Sequence, residues 1–212
     1  MTSTRGRLIA VEGIDGCGKS TQVRLLSDRL GAVATFEPGA TRLGSALRTL
    51  LLDRTGEPVS DRAEALLMAA DRAQHVDEVI APALASGRWV VTDRFAASTL
   101  AYQGHGRGLD LGELGALVGW ATAGLRPDLT VLLEVPVAVA ADRRRGGSAD
   151  RMESEAAEFH QRVADGYKAL AADGGDRWVV VDATATVGSV AASIWRAVEA
   201  IAGPGGPPAG PG

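Results

Sequence analysis

Near the N-terminus, Gly13-Ile14-Asp15-Gly16-Cys17-Gly18-Lys19-Ser20 satisfies the pattern G-x-x-x-x-G-K-[ST] and follows directly on the apolar run Leu8-Ile9-Ala10-Val11. That order implies a strand, a phosphate-binding loop and a helix opening at Ser20 and Thr21. Glycines reach backbone angles closed to other residues, so successive N–H groups can turn inward around phosphate oxygens at a helix N-terminus, whose dipole also favours an anion. Lys19 adds a point charge for β- and γ-phosphates, and Ser20 a hydroxyl for a magnesium ion on the same phosphates. A glycine-rich turn that binds nothing is the alternative. Of 22 basic residues only Lys19 and Lys168 are lysines, and one of them falls where an ammonium suits a phosphate site. The lone cysteine, Cys17, reads as a small side chain whose backbone N–H faces phosphate, with thiol catalysis as the alternative.

A second group of charged residues lies downstream. Asp93-Arg94 ends the β-branched run Trp89-Val90-Val91-Thr92, and Arg48 and Arg72 fall on helices expected before it. Three arginines exceed what one nucleotide needs and point to a second anionic substrate; for each alone, a surface salt bridge is the alternative. Glu37-Pro38-Gly39-Ala40-Thr41 is turn-rich and follows a short apolar strand, where α/β folds place ligand contacts. Arg143-Arg144-Arg145 and Arg151 flank Gly146-Gly147-Ser148-Ala149-Asp150, a segment too polar and flexible to pack. Residues 143–153 therefore read as a lid whose guanidinium forks match phosphoryl oxygens, with a solvated helix end as the alternative. The chain contains no asparagine, which excludes the Asn-Lys-x-Asp sequence by which common GTPases read guanine.

These residues need a scaffold, and the apolar periodicity supplies one. Strands are expected at residues 8–12, 32–36, 89–94, 128–135 and 178–182. Helices are expected at residues 20–30, 43–52, from about 60 to about 85, 95–102, 111–123, 136–145, 153–172 and 187–202. In the long third helix Leu66, Leu67, Ala70, Ala73 and Val76 read as the apolar face, and Pro82 as a bend or break. Gly104-His105-Gly106-Arg107-Gly108 reads as a loop. Apolar strands alternating with helices argue for an α/β fold with one five-stranded parallel sheet covered on both faces.

The totals bound the rest. At 212 residues, with 46% hydrophobic and 23% charged residues, the chain suits one α/β domain over residues 1–202, followed by a Gly/Pro tail at 203–212 expected to be disordered. A formal net charge of −4 argues against nucleic-acid and anionic-membrane partners. One cysteine excludes an internal disulfide framework, and no apolar run reaches membrane-spanning length or makes a signal peptide, so a cytoplasmic location is expected.

Taken together, Val11-Glu12-Gly13-Ile14-Asp15-Gly16, Glu37-Pro38-Gly39, Asp93-Arg94-Phe95, Ser98-Thr99, Ala101-Tyr102-Gln103-Gly104 and Asp150-Arg151-Met152-Glu153 resemble the bacterial thymidylate kinases, over about Arg7 to Ile201. The resemblance implies a P-loop NTPase fold, transfer of the γ-phosphoryl of ATP to dTMP giving dTDP and ADP in dTTP synthesis, magnesium as cofactor, and a homodimer. It implies that Gly13 to Thr21 (Gly13, Ile14, Asp15, Gly16, Cys17, Gly18, Lys19, Ser20, Thr21) bind ATP. Arg94 and Arg48 would hold the dTMP phosphate, and Arg72 would reach the thymine carbonyl. Thr99 and Gln103 would border base and sugar, Tyr102 would stand where a 2′-hydroxyl would clash, and Glu37 would line the acceptor pocket. Asp15 would touch the 3′-hydroxyl side of the sugar and the metal-bound phosphates, with Ser20 and Asp93 as the other metal-side residues. Catalysis would fall to Lys19, Asp15, Arg94 and the lid arginines Arg143 and Arg151, since Gly16 stands where another type of the family carries a basic loop residue. Two positions depart from the family pattern: Met68 replaces a phenylalanine that stacks on thymine, and Phe36 replaces a phosphate-side arginine.

Overall fold

The computed structural model describes residues 5–53, 58–144 and 150–202. Residues 145–149 of the expected lid and the expected tail at 203–212 lie outside the described residues.

Five strands form one parallel sheet: β1 (Leu8–Glu12), β2 (Val33–Phe36), β3 (Val90–Asp93), β4 (Leu129–Glu134) and β5 (Trp178–Asp182), in the order β2-β3-β1-β4-β5. β1 is central, pairing Leu8 with Val90 on one side and Ile9 with Leu129 on the other, and all five of its residues are buried. A strand buried on both faces reads as the continuous apolar run seen in the sequence. Alternate β1 residues enter different cores. Ile9 and Val11 pack with Val23 and Leu26 of α1 (Lys19–Leu30) and Ile194 of α9 (Val187–Ala202). Leu8 and Ala10 pack with Val76, Ile80 and Leu84 from the long helical segment on the opposite face. The sheet is thus covered on both sides, and its strand C-termini converge on one edge where the loops after β1, β2 and β3 meet.

That long segment starts as α3 (Asp61–His75), widens into a π-helical turn at Val76–Ile80 and ends as α4 (Ala81–Ala85). The wide turn lies directly before Pro82, whose ring would clash with the carbonyl four residues earlier in a regular helix, so the chain passes Pro82 without breaking. The apolar face expected for α3 holds at Val76, which is buried, and in part at Leu67 and Ala73, but not at Leu66 and Ala70. Glu64, Ala65, Ala69, Asp71, Arg72 and His75 are buried, whereas Leu66 is 59% exposed and Ala70 is exposed. This helix turns its polar side inward because it walls a cavity.

A second correction concerns residues 100–108. α5 (Ala96–Thr99) continues as a π-helix through Leu100–Gly106, where a loop was expected from Gly104. The glycines there meet close packing. A Cβ on Gly104 would lie 2.4 Å from a Leu111 methyl, and one on Gly106 2.7 Å from the Phe159 ring. α8 spans Ala157–Asp173, starting later than its periodicity implied, with turns over the preceding residues 151–155. Among the described residues the remaining α-helices are α2 (Arg42–Leu52), α6 (Leu111–Ala121) and α7 (Val137–Arg144), with a short 3₁₀ turn at Gly175–Arg177.

Candidate active site

The loop after β1 enters α1 through Gly18 at φ 99°. Gly16, at φ 85°, faces the backbone of α7: a Cβ there would sit 2.4 Å from the Ala140 carbonyl. No side chain fits at that position, so a cation for this loop must come from elsewhere. Lys19 Nζ is buried, donating to the Gly13 and Ile14 carbonyls at 3.1 and 3.0 Å and lying 3.9 Å from Asp15. The Cys17 thiol is buried in the core, and the Cys17 N–H donates to the Ile14 carbonyl at 3.3 Å. Ser20 Oγ donates to Asp93 Oδ2 at 2.7 Å. This hydroxyl and carboxylate are the hard oxygen donors a magnesium ion takes.

Arg94 organises the other half. Its φ of 72° places a non-glycine residue in the left-handed region, at a cost of about 1–3 kcal/mol that surrounding bonds must offset. The Thr92 hydroxyl donates to the Arg94 carbonyl at 2.8 Å, and the Phe95 N–H donates to Glu12 at 2.8 Å. The guanidinium donates to the Gly13 carbonyl, Ser98, Tyr167 and Tyr102 at 2.9–3.2 Å and pairs with Asp15. Tyr102 in turn donates to the second Asp15 oxygen at 2.7 Å.

Burial pushes the Asp15 carboxyl up, but Arg94 and Lys19 outweigh it and hold the group well below the usual carboxylate range. Burial drives the Tyr102 and Tyr167 phenols well above their ordinary values, so both stay protonated donors. Glu12 is fully buried, and burial raises its carboxyl despite bonds from Ser98, Phe95 and Tyr167.

A third layer carries the turn after β2. Arg72, 2% exposed, donates to Glu37 at 2.8 Å, Thr99 at 2.8 Å and the Phe95 carbonyl at 3.0 Å. Glu37 also meets His75 Nδ1 at 2.9 Å, and His75 Nε2 meets Thr35 at 2.6 Å. Asp71 accepts the Gly39 N–H at 2.9 Å; burial and the neighbouring Glu37 carboxylate push its pKa up to about 6. Arg48 donates to the Pro38 carbonyl at 2.7 Å.

Two cavities result. An inner one is lined by Asp15, Glu37, Arg48, Met68, Arg72, Arg94, Thr99, Tyr102 and Gln103, every residue expected on the acceptor side, together with Asp71 and Ser98. An outer one is lined by Gly16, Gly18, Lys19, Ser20, Thr21, Asp93 and Arg143. Asp15, Glu37, Arg48 and Arg94 line both and form the wall between them.

Not every expected residue falls with its assigned group. Asp15 is engaged by Arg94 and Tyr102, whereas Ser20 and Asp93 pair with each other. Arg143 lines the outer cavity while donating to the Ala183 carbonyl at 2.9 Å. Arg151 donates to Glu64 at 2.6 Å and to the Leu51 carbonyl at 2.7 Å, between Asp150 and Met152 of the inner cavity. Arg144 belongs to the basic cluster read as matching phosphoryl oxygens, without an individual role from sequence. Its Nε and Nη1 are buried without a hydrogen-bond partner among the described residues, and its Cγ would lie 3.1 Å from a Cβ on Gly16. Three consecutive arginines gave no signal for which one would turn toward the loop.

The arrangement places a phosphate loop beside a second, arginine-walled cavity, and the chain is similar to known proteins along most of its length. The thymidylate kinase family model matches residues 11–194. The chain is 52% identical over 193 residues to a thymidylate kinase of Synechococcus sp. (strain CC9902), covering 86% of this chain and 91% of that protein. It is 45% identical over 205 residues to one of Cupriavidus necator, covering 93% and 100%. The crystal structure of thymidylate kinase from Ehrlichia chaffeensis superposes with a TM-score of 0.74 at 30% identity, covering 91% of this chain and 98% of that one. With a parallel five-stranded sheet, a glycine-rich loop at its central strand and these relatives along nearly its whole length, the chain belongs to the thymidylate kinase family of P-loop kinases.

Proposed function

We propose that the outer cavity holds the triphosphate of ATP, the inner cavity holds dTMP, and the γ-phosphoryl passes across the wall between them. The observation that carries this reading is the sharing of Asp15, Glu37, Arg48 and Arg94 by both cavities, which brings two bound phosphates to one partition. Phosphoryl transfer needs positioning and charge neutralisation more than covalent help. Lys19 and the N–H groups at the start of α1 bind the donor phosphates. Arg94 and Arg48 fix the acceptor phosphate. Asp15 orients Arg94, and its ionised carboxylate keeps the Tyr102 hydroxyl turned toward it. Glu37 and Thr99 clamp Arg72 so that its remaining N–H groups are aimed at the base. Arg143, Arg144 and Arg151 supply charge from the lid segment 143–153, which also excludes water.

Ser20 and Asp93 would hold magnesium, which when bound neutralises charge on the phosphates. Release of ADP measured with dTMP, dUMP, UMP, dCMP, dGMP and AMP as acceptors tests the reading. The highest kcat/KM is expected with dTMP; a better acceptor among the others overturns the substrate assignment.

The protein works as a homodimer in this reading, in the cytoplasm. α2 packs on α3 and α3 on α6, and together they expose Leu43, Leu50, Leu66, Leu111 and Trp120, the last 82% exposed. Such a run of apolar side chains suits burial against a second copy. Sedimentation analysis of the protein and of Leu66→Glu tests this, with a dimer expected for the first and a monomer for the second.

A further inference from the structure

Glu64 lies on the first turn of α3, wholly buried, and lines neither the inner nor the outer cavity. Four contacts converge on its carboxylate. Gln103 Nε2 donates to Oε1 at 2.8 Å, Arg107 Nε approaches Oε1 at 3.4 Å, and Arg107 Nη2 and Arg151 Nη2 donate to Oε2 at 3.2 and 2.6 Å. Arginine has no acceptor and a carboxylate has no proton to give, so the cluster is complementary throughout.

Gln103 is the consequential member. It is 1% exposed and lines the inner cavity. An amide has a donor end and an acceptor end that differ little in shape, so a buried glutamine can present either one to a ligand unless its other end is fixed. Here the nitrogen end faces a group that only accepts. With one N–H given to Glu64, the amide is held in one orientation, and its carbonyl oxygen is left without a protein partner among the described residues and available to a ligand. Thymine and uracil carry a donor at N3–H, whereas the cytosine N3 is an acceptor beside an amino group, so the orientation of this amide discriminates between the two classes of base.

We infer that Glu64 is a specificity-determining positioning residue: by fixing the Gln103 amide with its oxygen toward the cavity, it selects a pyrimidine bearing N3–H and rejects cytosine. Glu64 touches no substrate and acts through Gln103. The inference rests on the inner cavity being the dTMP site.

The test compares kcat/KM for dTMP and dCMP in the wild-type chain, Glu64→Gln, Glu64→Asp and Gln103→Met. Glu64→Gln offers its own N–H groups as well as an oxygen, which leaves the Gln103 amide free to adopt either orientation. Glu64→Asp keeps the charge for Arg107 and Arg151 but withdraws it from Gln103 by one methylene, so a folded variant is available should neutralisation leave the two arginines uncompensated. In either variant the dTMP/dCMP ratio should fall by about tenfold, the worth of one hydrogen bond made wrongly, while the KM for ATP stays within about twofold. A ratio unchanged in both variants, with the two acceptors slowed alike, overturns the inference. If the ratio collapses in Gln103→Met while holding in both Glu64 variants, Glu64 alone is misassigned. A ratio that holds in all three variants overturns the placement of the base as well.

Discussion

On the proposed reading, the two cavities hold the same chemical group, phosphate, by different means. The outer one takes much of its lining from the glycine-rich loop and the start of α1, Asp15, Gly16, Gly18, Lys19, Ser20 and Thr21, where main-chain N–H groups, a helix terminus and one lysine would meet the phosphates. The inner one draws side chains from the first loop, the turn after β2, α2, α3, the end of β3, α5, the π-helical turn and the segment at 150–152. A backbone cradle recognises what all nucleotides share. A side-chain cavity can be selective, but each of its polar groups must be held by another, which is why buried Glu12, Glu37 and Glu64 stand behind Ser98, Arg72 and Gln103, and Asp71 holds the Gly39 N–H.

The comparison breaks if damage to one side fails to stay on that side. Lys19→Ala should lower kcat by about 10²–10³-fold, because the lysine bears on charge that grows during transfer, while dTMP binding by calorimetry stays within a fewfold of wild type. Arg94→Ala should lower kcat/KM for dTMP by about 10²-fold or more and weaken dTMP binding, with ATP binding retained. It should also reduce thermal stability, since Asp15 loses the guanidinium that holds it ionised in a largely buried place. If Lys19→Ala abolished dTMP binding, or Arg94→Ala abolished ATP binding, the two cavities would not be separable sites.

A gentler probe uses pH. Asp71 holds its proton to about pH 6 when folded and loses it near 3.8 when unfolded, so between those values the folded chain binds more protons. Its contribution to stability is therefore fully present below about pH 4 and is lost as pH rises through about 6. Glu12 is shifted in the same direction, so the effect of Asp71 is read by difference. Asp71→Asn keeps an oxygen for the Gly39 N–H and never ionises. Its melting temperature should fall less than that of the wild type between pH 5 and pH 7.5, and equal slopes would show that Asp71 does not titrate in this window.

How much could be read beforehand follows the same division. The loop and the five strands were legible because local rules specify them: glycine spacing in one, unbroken β-branched and apolar runs in the other. Arg48, Arg72 and Arg94 were legible as a surplus of cations. Their supports were not, because an acid on a helix reads as solvent-facing until its neighbours in space are known. The partly inverted face of α3 has this origin: Glu64, Asp71, Arg72 and His75 follow helical spacing as well as Leu66 and Ala70 do, and only the cavity decides which set turns inward. Gly104 and Gly106 misled for a related reason. Their small size serves close packing against Leu111 and Phe159, which no local signal distinguishes from a turn.

The smallest expected effect lies where the inner cavity departs from its family. Met68 lines that cavity beside Arg72, Thr99 and Gln103, the groups assigned to the base, and it is only partly buried. A thioether gives a polarisable surface that adapts its shape, whereas a phenyl ring offers a flat face of fixed geometry. Stacking on a ring is worth about 0.5–1.5 kcal/mol beyond the buried area, against about 0.3–1.5 kcal/mol for sulfur against an aromatic, so the two surfaces nearly balance. Met68→Phe should therefore lower the KM for dTMP by no more than about fivefold and leave kcat unchanged, because the gain acts on the bound base and not on the phosphoryl in flight. The same substitution should leave the KM for ATP unaltered. A change in that constant would mean that the base side of the inner cavity reaches through the shared wall, and that the two means of holding phosphate are not independent.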